Sequence, residues 1–146
     1  MKKGILLILT LISINFVCGQ EKDSSFVGKW ISKPSSTGMI SLISLNEDGS
    51  GISGPGFYRN GNVKLSEFMK SDLQNWEIKN DTLVLTTKPI PRGKNQEPKS
   101  MTLLYIIQKK SKNSFLAYYS DPVMDKMMEE AGEKTEPIKL EFIKAE

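Results

Sequence analysis

From residue 26 onward the apolar positions fall in short runs broken by turn-forming residues. Segments 26–32, 39–45, 73–79, 82–87, 101–108, 114–120 and 138–143 each read as a strand. They are rich in leucine, aromatic or β-branched side chains and end in Gly, Asn, Asp, Ser or Lys. Two shorter runs, 57–59 and 63–65, flank Asn60-Gly61, a type I′ hairpin signal because both residues tolerate positive φ. Asn80-Asp81 marks a second tight hairpin, and Asn46-Glu47-Asp48-Gly49 a third turn. Between them, 49–56 is Gly-rich and reads as a twisted or bulged strand. Neighbouring strands joined by tight turns pair antiparallel. The pattern therefore predicts an all-β chain of about eight to nine strands, closed into an up-and-down barrel or folded as a sandwich.

Two segments break the meander. Residues 88–100, from Lys88 to Ser100, hold three prolines and four basic residues and read as a long surface loop. Residues 122–131 read as one short amphipathic helix near the C-terminus. Asp121 supplies the N-cap, Pro122 fits the first position, and Gly132 ends it. Val123, Met124, Met127, Met128 and Ala131 form an apolar stripe, expected to pack on the barrel wall; the alternative is a Met-lined lid. Residues 66–72 are a candidate second short helix. Both faces of the 101–108 and 114–120 hairpin are apolar, so the helix that follows is its natural outer cover.

The opening residues change the domain picture. Lys2 and Lys3 precede an apolar stretch at 4–17, and Val17-Cys18-Gly19 offers a cleavage site before Gln20. This is the layout of an export signal over 1–19, followed by a polar tether at 20–25 and one barrel domain at 26–146. No stable membrane span is expected after processing, because the apolar stretch is short and terminal. Cys18, the only cysteine, is either removed with the signal or retained as a lipid-bearing anchor. After removal no disulfide can form, and an exported fold must rest on its hydrophobic core.

Charge and motifs narrow the chemistry further. The full chain carries a net charge of +3, and loss of Lys2 and Lys3 lowers it by two, to +1. Such a near-neutral domain makes no electrostatic case for nucleic acid. Lys109, Lys110 and Lys112 beside Phe115, Tyr118 and Tyr119 read as a solvated turn next to a strand. The chain has no histidine, which excludes Ser-His-Asp triads, Cys-His dyads and most zinc sites. Gly49-Ser50-Gly51-Ile52-Ser53-Gly54 spells a dinucleotide fingerprint, but Pro55-Gly56 follows and no helix can receive a phosphate. Asn46, Asp48 and Ser50 begin like a calcium loop, whose twelfth position is Phe57 where Glu is required. No cofactor and no metal are expected.

Three patches in order carry a resemblance. Gly28-Lys29-Trp30 lies in the first strand; residues 41–51 end in Asp48-Gly49-Ser50-Gly51; and Trp76-Glu77-Ile78 precedes Asn80-Asp81-Thr82-Leu83. Together they resemble compact bacterial lipocalin-like secreted domains of the calycin group, over most of the processed chain by layout. The resemblance implies an antiparallel barrel with one end closed by Gly28 and Trp30, the Trp lying under an Arg from a late strand. The only arginines are Arg59 and Arg92, so Lys139 or Lys144 would take that place, without the planar fork that stacks on a ring.

A barrel strand points alternate residues inward. Met39, Trp76, Ile78, Tyr105 and Tyr118 are the candidate lining of a cavity for a small hydrophobic or amphipathic ligand. The expected function is binding without catalysis, in the periplasm or outside the cell. The rival reading is a solid barrel that binds a protein partner through the Lys88 to Ser100 loop. The two differ in one feature, an internal cavity of a few hundred Å³ open at one end.

Overall fold

The computed structural model describes residues 23–91, 96–134 and 136–145. The expected export signal with Cys18, the start of the expected tether and positions 92–95 of the proline loop lie outside the described residues. Among those described, nine strands form one antiparallel sheet: β1 Gly28–Ser32, β2 Met39–Leu45, β3 Gly51–Arg59, β4 Asn62–Leu65, β5 Ser71–Lys79, β6 Thr82–Thr87, β7 Thr102–Lys110, β8 Ser114–Ser120 and β9 Ile138–Ala145. The order is β2-β1-β9-β8-β7-β6-β5-β3-β4, and β2 also pairs β3. Eight strands therefore close a barrel, and β4 lies beside the ring on the outer half of β3. A closed ring leaves no long unpaired edge.

The hairpin turns form where the turn residues place them. Asn60 and Gly61 have φ of 50° and 78°, and Asn80 and Asp81 have φ of 48° and 56°. The Gly-rich stretch and the run 57–59 are one strand rather than two, and it passes through Pro55. A strand residue points its N–H and C=O the same way. The Pro55 carbonyl accepts from the Ser66 N–H at 3.0 Å, so the missing donor faces that side too. There β3 changes neighbours, from β5 at Gly51–Ser53 to β4 at Gly56–Arg59, and no ladder bond is lost. The expected helix over 66–72 is one turn, with Met69 and Lys70 N–H both on the Ser66 carbonyl. Ser71 and Asp72 belong to β5 because they pair Ser53 and Ile52.

Register decides which face is inside. Trp30, Ile43, Leu73, Trp76, Leu83, Leu85, Tyr105, Phe115, Ala117 and Phe142 point inward and are buried. Two bulges reset the alternation. In β5 the apolar spacing of three between Leu73 and Trp76 spans an irregularity at Leu73/Asn75, which keeps both inward. In β7 a bulge between Ile107 and Lys109 turns Lys110 to the side of Phe115.

One end is closed by aromatic rings. Asp23 caps a single 3₁₀ turn, Ser24–Phe26, which lays Phe26 over the barrel end. Phe26, Trp30 and Phe115 pack mutually, with centroids 6.1, 5.5 and 5.0 Å apart, and the Trp30 indole N–H donates to the Phe26 carbonyl at 2.7 Å. Two ammonium groups lie over the rings: Lys110 at 4.0 Å from the Phe26 centroid and Lys144 at 5.2 Å from that of Trp30. Lys144 pairs directly with Trp30, whereas Lys139 pairs Tyr118 on the outer face, so Lys144 is the late-strand cation over the ring. Gly28 makes room for it. Its φ is 125°, and a Cβ there would meet the Lys144 Cε at 2.8 Å.

The helix α1, Pro122–Glu130, forms with the expected cap: Asp121 Oδ1 accepts from Val123 and Met124 N–H at 3.0 and 3.1 Å. Its packing does not follow the expectation. None of its residues is buried, and Val123, Met124 and Met127 are 51%, 51% and 59% exposed. The Ser120 hydroxyl bonds Asp125 at 2.6 Å, so a polar tether seats the first turn, and a cleft of about 380 Å³ separates the helix from Ile106 and Tyr118. The outer face of the β7–β8 hairpin is only partly covered; Ile106 is 42% exposed.

Burial orders the expected mutational costs. Trp30→Ala should cost about 3–5 kcal/mol in urea unfolding, as for other buried aromatic truncations. Met127→Lys should cost within about 0.5 kcal/mol, the range of exposed sites. A pH effect arises at the closed end. Lys110, at 2.8 Å, and then Ser25 hold the Asp23 carboxyl below its ordinary 3.8, at about 2. A depressed carboxylate stabilises the fold above its unfolded value and loses that contribution as pH falls toward 2. Asp23→Asn should flatten the fall in Tm between pH 4 and pH 2, measured by thermal melts.

Candidate functional site

The opposite end is open, because the strands there differ in length. The β1–β9 ladder stops at Ser32–Phe142, with one further bond from Lys33 N–H to the Glu141 carbonyl at 2.8 Å. Pro34 then follows. Ile138 and Leu140, at the start of β9, pair β8 on one side and meet no β1 partner on the other. A cleft of about 530 Å³ opens at this seam, between Ser32 to Ser35, Met39 and Ile138 to Glu141.

That cleft shares Ser41, Pro55, Ile138 and Leu140 with an interior cavity of about 390 Å³. Its wall comes from six strands. Ser41 is on β2, Ser53 on β3, Ser71 on β5, Leu103 and Tyr105 on β7, Tyr119 on β8 and Leu140 on β9, with Met69 and Met101 at the rim. The lining is apolar apart from hydroxyls. Among the described residues no charged side chain lines it. Volume and composition fall at the small end of ligand pockets, about 300–1,000 Å³ with a few placed polar groups.

The hydroxyls are not equivalent. Tyr105 is 3% exposed and lines the cavity with Ser53, itself 4% exposed. Burial first, and then the neighbouring Tyr119, push the Tyr105 hydroxyl above the ordinary tyrosine range. Tyr119 is half-buried, with its ring centroid 5.3 Å from that of Tyr105, and is also raised, by burial and then by Asp121 and Asp125. Both rings therefore stay protonated and can donate. Thr87, buried below the rim, is engaged: its Oγ1 accepts from the Met101 N–H at 2.9 Å.

The five residues expected from sequence part company here. Tyr105 lines the cavity. Met39 stands at the rim, 46% exposed, in the seam cleft. Trp76 is fully buried in the core, with its indole N–H on the Asn46 carbonyl at 2.8 Å, and Ile78 packs against the same core. Tyr118 points outward and lines the cleft beneath α1. The register explains the division, since Tyr105 pairs Tyr119 while Tyr118 pairs Ile106, so Tyr105 and Tyr118 lie on opposite faces. Residues not picked out from sequence are Ser41, Ser53, Ser71, Tyr119 and Leu140. Alternation links Tyr119 to Ala117 and Phe115, but nothing local marks a serine as inward.

Apolar groups crowd the mouth. Met39, Phe57, Met69 and Ile138 are between 43% and 64% exposed, and Phe68, at the tip of the turn before β5, is fully exposed. Gly54 holds that turn close. A Cβ there would meet the Lys70 Cα at 2.9 Å and the Met69 carbonyl at 3.1 Å.

Compared with known proteins, the chain matches no family model, no curated protein and no solved structure. Among the described residues no helix is long and apolar enough to cross a membrane.

Gly54→Ala should push residues 66–70 off β3, because the obstruction is backbone. A cost of about 1–3 kcal/mol is expected in chemical unfolding, as for other overpacked sites. Faster amide hydrogen exchange at Met69 and Lys70 should accompany it.

Proposed function

We propose that this protein is an exported, lipocalin-like barrel that binds a small hydrophobic or amphipathic molecule at its open end and does no covalent chemistry on it. One observation carries the reading: the interior cavity of about 390 Å³, walled by Leu103, Leu140, Met101 and two tyrosines and reached through the open end. Apolar surface there gains about 25 cal/mol per Å² when a ligand covers it. The hydroxyls of Ser41, Ser53, Ser71, Tyr105 and Tyr119 supply the few polar contacts that fix orientation. A binding role also agrees with a chain that has no histidine.

A second reading has its own support. The described part of the Lys88 to Ser100 loop is exposed except at Ile90, which bridges Lys99. The loop joins the mouth through Met101, so a protein partner held there would sit beside the cavity.

The test uses the full chain expressed in a bacterial host and purified in its processed form. Organic extraction with mass spectrometry identifies any retained molecule, and titration with the uncharged fluorophore N-phenyl-1-naphthylamine measures the cavity. Saturable binding is expected, weakened at least tenfold by Leu103→Trp, which fills the cavity, and unchanged by Tyr118→Ala on the outer face. Absence of both an extractable molecule and saturable binding, in a protein with a cooperative thermal melt, would sink the ligand reading and favour the loop.

A further inference from the structure

We infer that the cavity takes an uncharged amphiphile, with a hydrophobic tail and a neutral oxygen head, and rejects the matching carboxylate. The inference rests on the ligand-binding reading above and narrows it to a chemical class.

The wall is the first argument. Across six strands it offers hydroxyls and apolar groups, and among the described residues no ammonium or guanidinium. An ionised head carried inside would lose its water and find no counter-charge, which costs far more than burying a hydrogen-bonded neutral group. A neutral oxygen needs only a donor, and the geometry supplies one. The side chains of Tyr105 and Tyr119 line the cavity, and a phenol O–H donates.

The charges around the mouth give the same direction. Asp121 and Asp125, at the strand end and the helix start, act on Tyr119 and raise its ionisation. Two described lysines beside the opening are paired: Lys33 binds Glu141 at 2.6 Å and Lys70 binds Glu67 at 2.5 Å. Lys139 borders only the outer seam cleft, beside Glu141. An anionic head meets carboxylates on one side and occupied lysines on the other. The raised ionisation of Tyr105 and Tyr119 reports the same unfavourable setting for negative charge.

The experiment compares dodecanol with dodecanoate by displacement of N-phenyl-1-naphthylamine and by calorimetry, at pH 8 and at pH 4.5, in low and high salt. Dodecanol should bind at least tenfold more tightly than dodecanoate at pH 8, with affinity independent of salt. The gap should narrow at pH 4.5, where more of the acid is neutral. Tyr105→Phe should lower dodecanol affinity about two- to tenfold, the usual worth of one hydrogen bond, with less effect on dodecane. Equal or tighter binding of dodecanoate at pH 8 would overturn the inference and leave the ligand reading standing. Salt-sensitive dodecanoate binding of that strength would place its head on the rim lysines, also against the inference. Failure of dodecanol, dodecanoate and the fluorophore alike would instead sink the ligand reading itself.

Discussion

A column of packed rings joins the two ends of this barrel, supplied by the first turn and by strands β1, β7, β8 and β9. Phe26 and Trp30 start it at the closed end; Phe115 and Phe142 stack at 4.7 Å in the middle; Tyr105 meets Phe142 at 5.6 Å and Tyr119 at 5.3 Å below the cavity. The contacts tie β1, β7, β8 and β9 together across the seam where the first strand meets the last. Aromatic pairs of this kind add about 0.5–1.5 kcal/mol each beyond the area they bury. The ring closes because the first and last strands share these side chains as well as a ladder.

The same column explains why one end is shut and the other is hollow. At the closed end the rings are capped by Lys110 and Lys144, whose stems cover apolar surface and whose ammonium groups sit over ring faces. At the other end the column finishes in tyrosines, and the facing strands present Ser41, Ser53 and Ser71, which are too small to meet across the lumen. Where bulky residues face bulky residues the barrel fills, and where serines face Leu140 and Tyr119 it stays open. The early end of β1 at Ser32 widens that opening into the seam.

Much of this was legible in the chain. Turn chemistry at Asn60-Gly61 and Asn80-Asp81 placed two hairpins, and the cap residues Asp121 and Gly132 bracketed α1 to within a residue. The bulge between Leu73 and Asn75, which keeps Leu73 and Trp76 on one face, came only with the pairing to β6. The candidate site was less legible, because its defining residues are serines on β2, β3 and β5, and a serine has no preferred side of a sheet. Tyr118 and Tyr119 are adjacent aromatics of similar character, and only pairing with β7 separates the outer from the inner one.

By itself the sequence determined the local elements, since turn geometry, capping and β-propensity act over a few residues. It also determined the lack of histidine chemistry. The tertiary structure decided which face of each strand is wet, that α1 buries none of its residues and leaves Met124 and Met127 exposed, and that Lys144 rather than Lys139 covers Trp30. Those outcomes depend on register between strands far apart in sequence, where a shift of one residue exchanges the two faces of a sheet. The cavity belongs to the same category, because an empty volume is a property of six strands at once and of no single one.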